Sequence, residues 1–343
     1  MTVRERRAAI RAIRSHLPAG KLTNEQLAQE YQDRNVLKIF QKTGIAVRGV
    51  AAANECASDL GVAAGQKLFE SGVCRPEDID FLIFCTQTPD YFLPTTACIM
   101  QDRLGLKTSC GAFDLNLGCS GFVYGIAVAK GLIETCLVEN VLFITADTYT
   151  KFINPQDHSA RTIFSDGAAA TLIVAVDTEE ELIGPFVFGT DGKGADMLMV
   201  PAGGLRLPIS PATAIEKDDG KGIFRSAQNL FMDGPEIFNF SFKTVPLVLR
   251  QLLEKCGMKI DEVDYFVFHQ ANQHMLEWLR KKTKIPTEKF CINMETYGNT
   301  VSASIPMALE LAQARGKINK GDKILLLGFG VGYSWAGAMV KFI

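Results

Sequence analysis

The chain has 343 residues, of which 47% are hydrophobic and 22% are charged, and its formal net charge at pH 7 is −2. A chain of this length and composition can bury a large core, and it predicts two domains or two fused halves. The charge balance gives no indication of nucleic acid or an anionic membrane surface as a partner, and no apolar run approaches the roughly 20 residues that span a bilayer. The arginine-rich N-terminus lacks the apolar core of a secretion signal, so we expect a cytoplasmic protein.

The first half of the chain alternates predicted helices and strands. In chain order we expect a strand from about Ala9 to His16, a helix capped at Thr23 or Asn24, a loop over 42–54, a helix from Glu55 to Ser71, a strand over Ile79–Thr86 and a helix over Pro94–Leu104. Strands are also predicted at Val141–Ala146 and Ala168–Val176. Their continuous apolar character favours a sheet that is covered on both faces.

A sharp turn between a strand and a helix carries the strongest chemical signal. The apolar run from Ala112 ends at Gly118, and apolar residues recur at helical spacing from Phe122, so Cys119 stands at the turn. The helix dipole and the free N–H groups of the first turn favour a thiolate, which predicts a lowered pKa for this cysteine. The arrangement is the one by which hydrolases present a serine nucleophile, here with sulfur.

The other cysteines carry no comparable signal. The nine cysteines are odd in number, irregularly spaced and without a CxxC pair, which disfavours a disulfide framework and a structural zinc site, so we expect no metal. Free cysteine is commonly a buried, inert, small hydrophobic residue. We interpret eight in this way: Cys56, Cys74, Cys85, Cys98, Cys110, Cys136, Cys256 and Cys291.

The second half of the chain repeats the pattern of the first. Val263–Gln270 resembles Ile79–Thr86, Tyr297–Thr300 lies opposite Leu117–Ser120, and Ile324–Phe329 matches Val141–Ala146. We therefore predict an N-terminal half over 1–176 that carries Cys119 and a C-terminal half over 177–343. A pseudo-two-fold brings corresponding turns together, which places Asn299 near Cys119 and puts His269 at the end of a buried strand. The stretch 191–228 is predicted to be a long loop that lines an entrance or an oligomer contact.

Several spaced motifs together resemble a known family. They are Thr43-Gly44-Ile45, Gly118-Cys119-Ser120-Gly121-Phe122, Phe164-Ser165-Asp166-Gly167, His269-Gln270-Ala271-Asn272, Gly298-Asn299-Thr300 and Gly328-Phe329-Gly330-Val331-Gly332. With these motifs the chain resembles the thiolase-fold condensing enzymes, most closely β-ketoacyl-acyl-carrier-protein synthase III, over nearly its whole length. The resemblance implies an α/β thiolase fold of two pseudo-symmetric βαβαβαββ halves in a five-layered αβαβα sandwich.

The resemblance also implies a two-step reaction. Cys119 takes an acyl group from a thioester, and the backbone N–H groups of Cys119 and Val331 hold the oxyanion. A malonyl thioester on a carrier protein then loses carbon dioxide while His269 and Asn299 stabilise the enolate, and Phe329 supplies an apolar wall. The family implies no cofactor, because coenzyme A or phosphopantetheine thioesters are the substrates.

Departures from the family pattern concern substrate binding. Lys38 replaces a tryptophan that stacks on the adenine of coenzyme A, and His158 and His274 replace arginines. These changes weaken the grip on coenzyme A, since imidazole cannot reproduce the guanidinium fork. We therefore hypothesise that the acyl donor is an unusual acyl-CoA or an acyl-carrier protein. Leu93 stands where some relatives have a bulky aromatic residue near the acyl pocket, which favours an acyl chain longer than acetyl.

Partners and alternatives follow from the same resemblance. Arg280, Lys281, Lys282 and Lys284 form a basic run that is either a docking site for the acidic carrier protein or a solvated helix face. A homodimer is expected, with its interface around Ile83–Leu93 and the Cys119 strand.

An acyltransferase or ketosynthase of specialised metabolism, with a different acceptor, is an alternative function. A noncatalytic partner subunit is a third, although such relatives lack the nucleophile.

Overall fold

The computed structural model describes residues 5–31, 36–220 and 222–343. Its strands are β1 (Arg6–His16), β2 (Gly20–Thr23), β3 (Val47–Val50), β4 (Phe81–Cys85), β5 (Gly111–Leu115), β6 (Asn140–Asp147), β7 (Gly167–Asp177), β8 (Ile183–Thr190), β9 (Leu198–Met199), β10 (Lys217–Asp218), β11 (Phe224–Arg225), β12 (Phe231–Met232), β13 (Tyr265–Phe268), β14 (Lys323–Gly330) and β15 (Ser334–Lys341). Its helices are α1 (Asn24–Glu30), α2 (Val36–Thr43), α3 (Ala57–Glu70), α4 (Thr96–Arg103), α5 (Gly121–Glu134), α6 (His158–Arg161), α7 (Gly234–Cys256), α8 (Gln273–Thr283) and α9 (Ser304–Ala314).

Two main sheets form the framework. The first has the strand order β1-β7-β6-β4-β5, with β4 parallel to β5 and β6, and with β7 antiparallel to both β1 and β6. The second has the order β13-β14-β15-β8, in which only the β13–β14 pair is parallel. All strands of the first sheet lie within residues 6–177, and all strands of the second lie within 183–341.

The helices divide into three layers around these sheets. Helices α5 and α9 pack between the sheets, where they share the largest buried apolar cluster with strands of both. Helices α3 and α4 cover the outer face of the first sheet, and α7 and α8 cover the outer face of the second. This order gives five layers, αβαβα, so the predicted thiolase fold is confirmed.

The two halves are similar without being equal. Helices α5 and α9 occupy corresponding places, as do β4 and β13, and β6 and β14. Within the part of the chain that the structure describes, the second sheet has one strand fewer. In place of a partner like β5, Phe290 makes a single parallel bridge to Phe266.

Local structure agrees with the sequence at most elements and differs near residue 47. Thr23 caps α1 in a capping box with Gln26, as the sequence predicts. The predicted loop over 42–54 contains β3, which pairs with β2. Four residues that include a glycine carry too little strand signal for sequence reasoning, and their hydrogen bonds depend on a partner distant in sequence. Among the described helices, none is both long and apolar enough to cross a membrane.

Candidate active site

Cys119 lies in the turn between β5 and α5, with only 5% of its surface exposed. Ser120 is the residue that precedes the first turn of α5, so Cys119 lies at the N-terminal end of this helix. Strand β14 passes directly behind the sulfur. A Cβ atom at Gly330 would lie 2.9 Å from Cys119 Sγ, and one at Gly328 would lie 2.7 Å from the Cys119 carbonyl oxygen. Glycine at both positions is therefore required for the two halves to meet at the cysteine.

The electrostatic surroundings of Cys119 oppose the sequence prediction. Burial, with the nearby Asp147 as a second cause, raises the pKa of the Cys119 thiol to about 12. Hydrogen bonds from the backbone N–H groups of Val331 and Cys119 itself act in the opposite direction but are the smaller effect. The predicted lowering of this pKa is thus wrong for the free protein, because loss of hydration outweighs the helix terminus. The two N–H groups nevertheless face the sulfur, next to the place where the carbonyl oxygen of an attacked acyl group would become an oxyanion.

His269 follows β13 and is held by the start of α9. Its Nδ1 lies 2.7 Å from the hydroxyl of Ser304, and that hydroxyl oxygen also accepts the backbone N–H of Gln270 at 3.4 Å. When the hydroxyl donates its proton to Nδ1, the ring proton lies on Nε2. Burial lowers the pKa of His269 to about 3, so the imidazole is neutral at physiological pH. A neutral ring with an Nε2–H is a hydrogen-bond donor toward the site.

The Asn299 carboxamide faces the same ring. Its Oδ1 accepts the backbone N–H of Val301 at 3.0 Å, which leaves Nδ2 at 3.5 Å from His269 Nε2. Two donors that face each other at this distance can both be satisfied by one acceptor supplied from the cavity. Val301, a β-branched residue, has φ 53°, in the left-handed region. Such strain of roughly 1–3 kcal/mol persists only where surrounding contacts enforce it.

Asn299 is also fixed through its backbone. Its N–H donates to the Ile163 carbonyl at 3.0 Å, and its carbonyl accepts the N–H of Ser165 at 2.9 Å. The neighbouring Thr162 carbonyl accepts hydrogen bonds from Arg48, which is fully buried. Desolvation lowers the pKa of Arg48 to about 10, so it remains a cation at neutral pH. The loop around residue 163 is thereby held as a rigid support for Asn299.

A cavity of about 990 Å³ connects these groups to the surface. Its lining includes Cys119, His269, Asn299 and Phe329, together with Lys38, His158 and His274 nearer the mouth. The stretch 191–228, which contains the short strands β9, β10 and β11, contributes Leu198, Asp219, Ile223 and Arg225. Phe329 packs edge-on against His269, with ring centroids 5.8 Å apart. Around the sulfur the wall is apolar, since Cys119 belongs to a buried cluster with Tyr149, Phe164 and Leu198. The arrangement joins a thiol, two neutral donors and a largely apolar chamber.

Comparison with known proteins identifies the family. The family models for 3-oxoacyl-(acyl-carrier-protein) synthase III and for its C-terminal part match residues 113–192 and 253–342. The chain is 38% identical to β-ketoacyl-(acyl-carrier-protein) synthase III of Caldanaerobacter subterraneus subsp. tengcongensis, over 98% of each chain. The chain belongs to the β-ketoacyl-acyl-carrier-protein synthase III family. Its members are thiolase-fold acyltransferases of the condensing class.

Solved structures of the synthase III family superimpose closely on the fold. A crystal structure of a 3-oxoacyl-(acyl-carrier-protein) synthase III has 52% sequence identity and a TM-score of 0.97, with 98% of this chain and 100% of that chain covered. The enzyme from Burkholderia xenovorans has 35% identity and a TM-score of 0.89, with coverage of 100% and 97%.

Not every residue predicted from the synthase III pattern lies in the cavity. Lys38, His158 and His274 line it, as expected for substrate-binding positions. Leu93 is a correction: it is 82% exposed and does not line the cavity of its own chain, because the loop after β4 turns outward. Arg280 is a second correction: it is half-buried and pairs with Glu277 and the Ile285 carbonyl.

The remaining basic residues of the run are exposed on α8 and just after it. They are Lys281, Lys282 and Lys284. The ammonium of Lys282 lies 5.0 Å from the Phe242 ring centroid and 5.9 Å from that of Trp278, and the aromatic contacts continue from Trp278 through Phe238 to His274 at the cavity mouth. Lys282 is thus held next to the entrance.

Sequence reasoning missed several residues that the structure brings to the site. Ser304, which orients His269, and Asp147, which lies near Cys119, are buried polar residues in apolar segments. Lys42 and Arg225 line the cavity mouth. Each lies far in sequence from the groups that it serves, and a lone serine or aspartate in a strand or helix start carries no local signal. Among the described residues, no cluster of three His, Cys, Asp or Glu side chains is arranged to hold a metal ion.

Proposed function

We propose that this protein transfers an acyl group from a thioester to Cys119 and then condenses it with malonyl-acyl-carrier protein, with loss of carbon dioxide, to give a β-ketoacyl-acyl-carrier protein. The observation that carries this proposal is that Cys119, His269 Nε2 and Asn299 Nδ2 open onto one cavity whose inner wall is apolar. The reaction belongs to fatty-acid or related biosynthesis, as the family name indicates.

In the first step the sulfur of Cys119 attacks the acyl carbonyl. The C–S bond of the donor breaks after the new C–S bond forms, and the donor leaves as a thiol. The backbone N–H groups of Cys119 and Val331 face the sulfur and are positioned to receive the oxyanion. Preorganised donors of this kind are worth about 3 kcal/mol each. Because burial raises the pKa of Cys119, the proton leaves the thiol in the course of attack rather than beforehand, and the departing sulfur of the donor takes up one proton, so that the step balances.

In the second step the malonyl thioester loses its carboxylate as carbon dioxide. The electron pair of the broken C–C bond becomes an enolate, whose oxygen accepts hydrogen bonds from His269 Nε2–H and Asn299 Nδ2–H. In the free protein Asn299 Nδ2 donates to the Ala271 carbonyl at 3.4 Å. Neither His269 nor Asn299 gives up a full proton readily, since the imidazole is neutral. The carbanion therefore survives to attack the acyl carbonyl on Cys119, whose sulfur leaves as a thiolate and takes up one proton from water to regenerate the thiol.

The two half-reactions provide a direct test. His269→Ala and Asn299→Ala are expected to retain acylation of Cys119, measured by intact mass, and to lose about 100-fold or more in decarboxylation of malonyl-acyl-carrier protein. Cys119→Ala is expected to lose acylation and to retain decarboxylation. Equal loss of both half-reactions in all three variants would refute the division of roles.

The cavity mouth bears on the acyl donor. Lys38, His158 and His274 line it where the family pattern has a tryptophan and two arginines, so we infer a weak grip on coenzyme A and a donor that is an unusual acyl-CoA or an acyl-carrier protein. The size of the cavity supports an acyl chain longer than acetyl. Rates of transfer to Cys119 from acetyl-CoA, longer acyl-CoA thioesters and acyl-carrier protein test this. A strong preference for acetyl-CoA would contradict it.

We also infer a homodimer with a cytoplasmic location. Tyr91, Phe92 and Leu93 form an exposed apolar surface, with 63%, 81% and 82% of their areas accessible. Strand β5 is the adjacent edge of the first sheet, and its side chains are half-buried. A second copy of the chain would cover both features. Light scattering at micromolar concentration is expected to give twice the chain mass, and Phe92→Asp is expected to lower it.

The alternative functions have less support. A noncatalytic subunit would not need a thiol, an imidazole and a carboxamide on one cavity. An enzyme of specialised metabolism with another acceptor uses the same acyl-cysteine, and carbon dioxide release from malonyl-acyl-carrier protein distinguishes the two.

A further inference from the structure

Asp147, the last residue of β6, is fully buried behind the site. Its Oδ1 accepts the backbone N–H of Gln87 at 2.8 Å and the hydroxyl of Thr86 at 3.4 Å. Its Oδ2 accepts both the hydroxyl and the backbone N–H of Ser302, the latter at 3.2 Å. Within the described residues no cation pairs with this carboxylate, so its partners are all neutral donors. Burial of a carboxyl group without a cationic partner costs desolvation free energy, so we expect Asp147 to serve a function in this position.

The contacts to Ser302 reach the Asn299 turn. Ser302 lies three residues after Asn299 and directly after Val301, the residue in the left-handed region. The N–H of Val301 holds Asn299 Oδ1, and this contact directs Asn299 Nδ2 toward His269. The turn is thus enforced from one side by the Asn299 side chain and from the other by Asp147.

The contact to Gln87 reaches the nucleophile turn. The Gln87 side-chain oxygen accepts the hydroxyl of Tyr149, and a Cβ atom at Gly118 would lie 2.4 Å from that oxygen. Gly118 immediately precedes Cys119. The Asp147 carboxylate, in the first half of the chain, therefore has two kinds of contact. One is with Gln87, which packs against the turn that carries Cys119, and the other is with the turn in the second half that carries Asn299.

We propose that Asp147 is a positioning residue that, through Ser302, holds the Val301 turn in its left-handed conformation and so keeps the Asn299 amide directed at the enolate. The inference rests on the role given to Asn299 under the proposed function. Its consequence is selective. Loss of the Asp147–Ser302 contact misdirects the donor needed for decarboxylation, whereas the acyl-transfer groups, Cys119 and Val331, keep their own supports in α5 and β14.

The experiment compares Asp147→Asn and Ser302→Ala with a matched control, Thr86→Val. The control also removes a buried hydroxyl that donates to Asp147, but Thr86 lies at the end of β4 and not on the Asn299 turn. For Asp147→Asn and Ser302→Ala we expect decarboxylation of malonyl-acyl-carrier protein to fall about tenfold or more, with acylation of Cys119 changed less than about threefold. Thr86→Val is expected to change both half-reactions by similar, small factors.

The outcomes separate this inference from the proposed function. If Ser302→Ala matches Thr86→Val, or lowers both half-reactions equally, the positioning role is wrong. If the unmodified protein does not decarboxylate malonyl-acyl-carrier protein, or if Asn299→Ala leaves that rate intact, the proposed function itself is wrong, independently of the role of Asp147. Should Asp147→Asn fail to fold, as monitored by thermal unfolding, Ser302→Ala decides alone, since it removes one oxygen atom and leaves the carboxylate in place.

Discussion

The hydroxyl of Ser304 lies 2.7 Å from Nδ1 of His269, and a proton donated along this contact leaves the ring proton on Nε2. Sequence motifs place a histidine at the end of β13 but say nothing about its tautomer. The Ser304 oxygen also accepts the Gln270 N–H at 3.4 Å, and we infer that its own proton is donated to Nδ1, which leaves Nε2 as the donor toward the cavity. Under the proposed function, decarboxylation is therefore expected to depend on Ser304, which is not among the residues that line the cavity.

Replacement of Ser304 tests this dependence. In Ser304→Ala the tautomer with the proton on Nδ1 gains population, so fewer molecules present an Nε2–H to the enolate. Decarboxylation of malonyl-acyl-carrier protein is expected to fall roughly tenfold, in line with a lost hydrogen bond, while acylation of Cys119 is retained. Ser304→Thr, which keeps the hydroxyl, is expected to recover part of the rate. Equal rates for Ser304→Ala and the unmodified protein would show that the tautomer does not limit the reaction.

The close passage of β14 behind the nucleophile predicts a second outcome. In Gly330→Ala the new methyl group would lie 2.9 Å from Cys119 Sγ, so either the strand or the sulfur must move. Misplacement on the order of 1 Å is expected to lower acylation on the order of 100-fold. Gly131→Ala is the matched control, because a Cβ atom there meets nothing within 4 Å and the position lies inside α5. The control is expected to retain acylation and to gain about 0.5–1 kcal/mol of stability in thermal unfolding.

The raised pKa of Cys119 predicts a pH dependence. With a pKa of about 12, the thiolate fraction increases about tenfold for each pH unit between 7 and 9. Alkylation of Cys119 by iodoacetamide, followed by peptide mass spectrometry, is expected to accelerate accordingly, with Cys119→Ser as background. Asp147→Asn removes a negative charge near the sulfur and is expected to speed alkylation at pH 8. A rate that is already constant above pH 7 would show that the helix terminus, and not burial, controls the thiol.

The exposed lysines near the entrance predict a selective effect on carrier protein. Lys281→Glu with Lys282→Glu is expected to raise the KM for malonyl-acyl-carrier protein several-fold. The reason is that two positive charges facing the acidic carrier protein are replaced by negative ones. Acylation from acyl-CoA is expected to change little. Lys320→Glu is the matched control, because this exposed lysine precedes β14 at the end of the sheet away from Cys119. If both variants change the KM equally, α8 does not dock the carrier.

Arg280 is expected to behave differently from its lysine neighbours. It pairs with Glu277 and donates to the Ile285 carbonyl, so it holds the end of α8 rather than a partner. Arg280→Ala is expected to lower the midpoint of thermal unfolding by a few degrees with little change in the KM for carrier protein. If Arg280→Ala changes the KM as much as the lysine variants do, Arg280 also belongs to the surface that docks the carrier protein.

The sequence by itself, with the family motifs, predicted the fold and the three side chains, Cys119, His269 and Asn299, that the structure brings to one cavity. Alternation of apolar strands with amphipathic helices, repeated in both halves, is a local property of the chain, and it predicts two α/β halves and the turn that carries Cys119. The five layers follow from the family resemblance. The repeat also brought Asn299 and His269 to the same site, because corresponding turns of two similar halves meet near their pseudo-two-fold axis. Short elements such as β3 escaped prediction, since their stability comes from a distant partner.

Only the tertiary structure decided how those side chains are tuned. The ionisation of Cys119 depends on hydration lost in three dimensions and on Asp147, which no local pattern connects with it. The donor state of His269 depends on Ser304, and the direction of the Asn299 amide depends on the strained Val301 turn. Exposure, in the same way, separated Leu93 from the cavity and the half-buried Arg280 from the exposed lysines of the same run. Residue type and spacing specify which groups are present, whereas their protonation and orientation depend on neighbours that are distant in sequence.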